Sequence, residues 1–139
     1  MSAHRTNVRA IRPMRILLVT DDVRYADELA SAASRLGLDL AQAAVGGDLD
    51  LEATAQAPNV VVLDAHDALA RTSRTATAFA ELHPQIATVI VANRAATRSV
   101  GSVLVFSKRR STERLFGELE RAYVGLSAAT ESSHHSAEA

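Results

Sequence analysis

Four side chains in this sequence have the types and the placement for phosphate or metal chemistry. Asp21 and Asp22 close the run Ile16-Leu17-Leu18-Val19-Thr20, Asp64 closes Val60-Val61-Val62-Leu63, and Lys108 follows Val103-Leu104-Val105-Phe106-Ser107. Clustered carboxylates repel and raise one another's pKa unless a cation sits among them. Oxygen ligands at a partly open site suit Mg2+, which keeps several waters and engages phosphate. A lysine ammonium binds a phosphoryl oxygen as a point charge. The chain holds fourteen arginines and a single lysine, and that lysine is Lys108. The two cations are not equivalent at a compact phosphate site. Each acid also has a plain structural role, since Asp favours turns and helix caps.

For these groups to meet, strand ends must lie together. Continuous apolar strands are typical of parallel sheets covered on both faces. Arg15 to Thr20 reads as the first strand, and a helix over about 24–36 carries Leu29, Ala32, Ala33 and Leu36 on one stripe, with Gly37 at its end. Leu38 to Ala44 reads as a second strand, followed by a short helix opened by Gly46-Gly47-Asp48 and ending near Gln56. Asn59 to Leu63 is the third strand, 69–82 a helix, Thr88 to Ala92 the fourth strand, and Ser102 to Phe106 the fifth. A last helix over 111–125 has Ser111 as its cap and Leu115, Leu119, Ala122 and Leu126 as its buried stripe. This alternation predicts an α/β fold of three layers, doubly wound around an open five-stranded parallel sheet. In such sheets ligands bind beyond the carboxyl ends of the strands. Only 93–101 separate the fourth and fifth strands, where a crossover with its helix takes at least about 10–12 residues. The helix there is predicted to be shortened or missing.

The length of 139 residues fits one domain with tails. Residues 1–13 read as a flexible basic leader, 14–126 as the folded domain, and the Ser-, Ala-, Glu- and His-rich 127–139 as a disordered tail. Aromatics are only 4%, so the core must come from Ala, Val, Leu and Ile, with Phe79, Phe106 and Phe116 as large fillers. The absence of cysteine excludes disulfides and thiolate metal sites. A net charge of −1 gives no general drive toward nucleic acid or membrane. No apolar stretch approaches the ~20 residues of a membrane helix, and no signal-peptide run opens the chain, so the expected location is cytoplasmic. Neither a GxGxxG nor a GxSxG motif occurs, which counts against dinucleotide enzymes and esterases. His66 and Asp67 beside Asp64 match no zinc spacing.

The run Leu17-Leu18-Val19-Thr20-Asp21-Asp22 resembles the acidic pair of bacterial response-regulator receiver domains. Val60-Val61-Val62-Leu63-Asp64 resembles their phosphoacceptor strand, and Val103 to Lys108 their lysine strand; the likeness covers about residues 14–125. It implies a flavodoxin-like sheet in the order 2-1-3-4-5. It further implies Asp64 as phosphoacceptor, Lys108 as partner of the acyl phosphate, and Mg2+ held by Asp21, Asp22, Asp64 and the backbone carbonyl of His66. Carboxylate attack to form an aspartyl phosphate is a recognised covalent strategy. Three positions depart from the family pattern. Ala92 stands where Ser or Thr is usual, Ala65-His66-Asp67-Ala68 replaces a Met-Pro turn, and Arg109 follows the lysine in place of Pro.

The expectation is a single-domain signalling protein of a two-component phosphorelay, not an enzyme. It would act through a protein partner, either a sensor kinase or a downstream regulator, and a homodimer is also open. No direct contact with nucleic acid or membrane is expected. The departures keep an alternative in view: a phosphorylation-independent pseudo-receiver used for protein interaction or dimerisation. A Mg2+-dependent phosphate-ester hydrolase is permitted in outline by the same acids and lysine, but no cap domain or substrate-recognition insert supports it.

Overall fold

The computed structural model describes residues 14–93, 98–100 and 103–138, so the basic leader at 1–13 lies outside the described residues. In chain order the elements are β1 (Arg15–Val19), α1 (Val23–Leu36), β2 (Asp39–Ala43), α2 (Leu49–Gln56), β3 (Val60–His66) and α3 (Leu69–Leu82). They continue with β4 (Ala87–Ala92), β5 (Arg98–Val100), β6 (Val103–Ser107) and α4 (Thr112–Glu138). The sheet order is β2-β1-β3-β4-β6-β5. The first five strands in that order are parallel, which is the predicted 2-1-3-4-5 arrangement, and β5 adds an antiparallel edge beside β6.

That edge strand is the main addition to the predicted topology. Among the described residues between β4 and β6 none is helical; the chain returns along β5, with Val100 opposite Val103. A strand advances about 3.3 Å per residue and a helix 1.5 Å. An extended return therefore spans the sheet with fewer residues than a helix needs.

Alternate residues of the central strands feed two core layers. Ile16, Leu18, Val60, Val62, Val89, Val91 and Phe106 pack with Leu29 of α1 and Leu115, Phe116 and Leu119 of α4. Leu17, Val61, Leu63, Ile90, Val103 and Val105 pack with Ala53 of α2 and Ala76 and Phe79 of α3. Burial on both faces is why these strands read as unbroken apolar runs.

α4 differs from its predicted length. Its start matches, with the Ser111 hydroxyl accepting from the Arg114 amide at 3.3 Å. It then continues to Glu138, through the segment whose composition reads as a disordered tail. After Gly125 the sequence contains no Gly or Pro before the helix ends, and Ala, Ser and Glu all tolerate helical backbone. Among the described residues, no helix is long and apolar enough to cross a membrane.

Candidate functional site

β1 and β3 lie side by side with Val19 opposite Leu63, so the residues that follow emerge at one edge of the sheet. There the Thr20 hydroxyl donates to Asp64 Oδ2 at 2.6 Å. Both residues are buried, at 1% and 8% exposure. Thr20 Oγ1 also accepts from the Asp22 amide at 3.0 Å. One hydroxyl therefore ties Asp64 to the backbone that starts α1.

β6 ends beside β4, with Ser107 opposite Ala92, and the next amide, that of Lys108, donates to the Ala92 carbonyl at 2.9 Å. This register aims the Lys108 side chain across the strand ends. Its Nζ donates to Asp64 Oδ2 at 2.9 Å and to Asp22 Oδ2 at 2.8 Å. It also sits 4.6 Å from the centroid of the Tyr25 ring, a distance suited to cation–π attraction. Asp22 Oδ1 accepts from the Tyr25 amide at 3.1 Å and so caps α1.

Asp64 Oδ1 accepts from the His66 amide at 2.9 Å. His66 makes that contact from a left-handed backbone, φ +52°, at a register shift between Asp64 and His66. Such a conformation is costly for a side chain with a Cβ, on the order of 1–3 kcal/mol, and it turns the amide back onto the carboxylate. On the rim, Asn93 Nδ2 donates to Asp67 Oδ1 and lies against His66 Nδ1, each at 3.2 Å. Ala92 is buried next to the bulge and presents a methyl group.

The charges in this cluster support one another. The hydrogen bond from Lys108, with that from the Tyr25 amide, holds the Asp22 carboxyl below the usual aspartate range. Burial alone would lower the Lys108 ammonium, but its hydrogen bonds to Asp22 and Asp64 outweigh this and push it up. Burial, followed by the negative charge of Asp64, Glu28 and Asp22, pushes the Tyr25 phenol up strongly.

The structure thus brings Asp22, Asp64 and Lys108 together, adds Thr20, and leaves Asp21 beside them without a bond to any of the three. Asp21 is exposed, and its Oδ1 accepts from the Val45 amide beyond β2 at 3.0 Å. A cavity of about 730 Å³ opens beside Asp64, lined among others by Asp21, Asp22, His66, Asp67 and Arg71. Even so, among the described residues no three His, Asp or Glu side chains group as ligands for a metal ion. The residues expected from sequence to hold Mg2+ (Asp21, Asp22, Asp64 and, by its carbonyl, His66) all line this cavity, and each has other partners there. Asp21 turns to β2, Asp22 serves the helix cap and Lys108, and the His66 carbonyl accepts from the Asn93 amide at 3.5 Å. As they stand, the Asp22 and Asp64 carboxylates accept from an ammonium, a hydroxyl and backbone amides. Thr20 was missed because a hydroxyl ending an apolar strand carries no charge to mark it; its place directly ahead of two acids was the available signal.

No protein-family model and no curated protein matches the chain. Solved structures do. A CheY-like response regulator receiver domain protein from Methanospirillum hungatei JF-1 aligns at 15% identity and TM-score 0.66, over 85% of this chain and 99% of that one. A response regulator receiver protein from Sinorhizobium medicae WSM419 aligns at 17% identity and TM-score 0.66, over 83% and 98%. An atypical orphan response regulator, described as having a phosphorylation-independent regulatory mechanism, aligns at 16% identity and TM-score 0.60, over 79% and 95%. At these identities the likeness establishes architecture alone: the chain has the flavodoxin-like fold of response-regulator receiver domains.

Proposed function

We propose that this chain is a receiver-type signalling module that works through a protein partner without phosphorylation of Asp64. The observation that carries this reading is the state of the Asp64 carboxylate. One oxygen takes the Thr20 hydroxyl and the Lys108 ammonium, and the other takes the His66 amide. A buried carboxylate so satisfied is stable as it stands and has lost much of its reach toward an incoming phosphorus. Ala92 supports the same reading, since no hydroxyl at the end of β4 is available to hold a transferred phosphoryl group. One structural neighbour is described as having a phosphorylation-independent regulatory mechanism, which supports this reading.

A second reading keeps Asp64 as the phosphoacceptor of a two-component relay, with Mg2+ as cofactor. It is favoured by the cavity of about 730 Å³, which leaves Asp64 on a wall open to an incoming donor. Intact mass after incubation with a small-molecule phosphodonor and Mg2+, beside Asp64→Asn, decides between them. An unchanged mass with more than one donor is the expected result. A phosphate-sized gain in the wild type alone would overturn the proposal in favour of the relay.

A further inference from the structure

We infer that Thr20 determines what this site binds: its hydroxyl, with the Lys108 ammonium, satisfies Asp64 in place of a divalent cation, so the site closes without metal. The inference rests on the receiver reading and goes further, by naming the residues that set the site's selectivity.

Asp22 and Asp64 face one ammonium, and Thr20 joins them without adding charge. Mg2+ demands a near-octahedral shell of oxygen ligands and dehydrates reluctantly. Asp64 Oδ2 already takes two donors, at 2.6 and 2.9 Å, and Oδ1 a third at 2.9 Å. That leaves about one of the carboxylate's four lone-pair sites, on Oδ1, so an ion entering from the cavity would meet Asp64 through that single oxygen unless it displaced a donor. Lys108 does not yield easily, because its side chain is 8% exposed, bonded to Asp22 and seated over Tyr25. Thr20 is fixed in turn by the Asp22 amide.

The cavity nevertheless has acids on its outer wall, Asp21 and Asp67. What it lacks is a carboxylate at position 20, in contact with Asp64. An aspartate there would set three carboxylates against one lysine, and like charges at such range call for a further cation. One hydroxyl in place of a carboxylate thus keeps the site one negative charge short of the excess that would call for a metal ion.

Calorimetric titration of the full chain with Mg2+ and with Mn2+ tests this, with the Asp64 and His66 amide resonances as a second readout. The wild type is expected to show no saturable binding through the range of weak oxygen-ligand sites, ~10⁻⁴ to 10⁻³ M. T20S, which keeps the hydroxyl, should match it, whereas T20D should gain saturable binding that D64N removes again. K108Q is the companion should T20D fail to fold; it strips the ammonium and should raise divalent affinity by about tenfold or more. Saturable wild-type binding that D64N abolishes would overturn the inference. So would a folded T20D that takes up no metal, or a K108Q without any gain. Metal uptake without a mass gain from the phosphodonor sinks this inference alone, whereas a mass gain sinks the phosphorylation-independent reading.

Discussion

α1 and α2 begin alike and are held very differently. Each opens on an aspartate whose side chain accepts an amide of the first turn, Asp22 from Tyr25 and Asp48 from Leu51. Each closes on a left-handed residue, Gly37 at φ +71° and Ala57 at φ +48°. Yet α1 buries Tyr25, Ala26, Leu29, Ala32 and Ala33, whereas α2 buries Ala53 alone and leaves Leu51 66% exposed. Caps decide where a helix starts; burial decides how firmly it is kept. Only in α1 does the cap also belong to the site, because Lys108 holds the same carboxylate.

The contrast is broken most directly in the core. Leu29→Ala should cost about 2–5 kcal/mol in urea denaturation, through lost burial and the cavity left behind. Removing the site's cation comes next. Lys108→Ala leaves the Asp64 carboxylate buried without its counter-charge and should cost about 3 kcal/mol, with altered amide exchange at the start of α1 as its local signature.

The two caps then give a matched pair. Asp48→Ala should cost roughly 1 kcal/mol, and Asp22→Ala more, since it also removes a partner of Lys108. The pH dependence separates the two roles. The folded Asp22 carboxyl lies below its ordinary value of 3.8. The stability it adds is therefore complete above that value and is lost as pH falls through the folded one. Lys108 is the reverse, complete below its ordinary 10.5 and lost as pH rises through its higher folded value. Denaturation midpoints of wild type and Asp22→Asn should accordingly converge as the solution is acidified below ~4.

The smallest effects belong to α2. Ala57→Gly should stabilise by about 0.5–1 kcal/mol, because glycine adopts the left-handed backbone without a Cβ penalty. Leu51→Ala should stay within about 0.5 kcal/mol. A loss like that of Leu29→Ala would mean that α2 is held by something other than its Ala53 contact.

Much of this was legible in the sequence. The unbroken runs ending at Asp64 and Lys108 gave both the parallel sheet and the meeting of those two residues, because a strand buried on both faces must be apolar throughout. The adjacent pair Asp21-Asp22 was harder. Neighbouring residues leaving a strand diverge, and spacing alone does not say which one turns inward. Thr20 escaped notice because its importance lies in what its hydroxyl touches. β5 and the far part of α4 were hidden for another reason. Arg98-Ser99-Val100 is too short for a periodicity, and the polar composition of 127–138 fits an extended helix as well as a loose tail.

The Lys108 contacts have a kinetic consequence. They join residues separated by 86 positions at Asp22 and by 44 at Asp64. Contacts of such sequence separation form only after large loops have closed, so they are among the slowest to appear. Until β6 docks, the two carboxylates lack their neutralising partner. The last parallel strand to be made thus completes the electrostatics of the first and third, and a nascent chain ending before it would carry an uncompensated acidic edge.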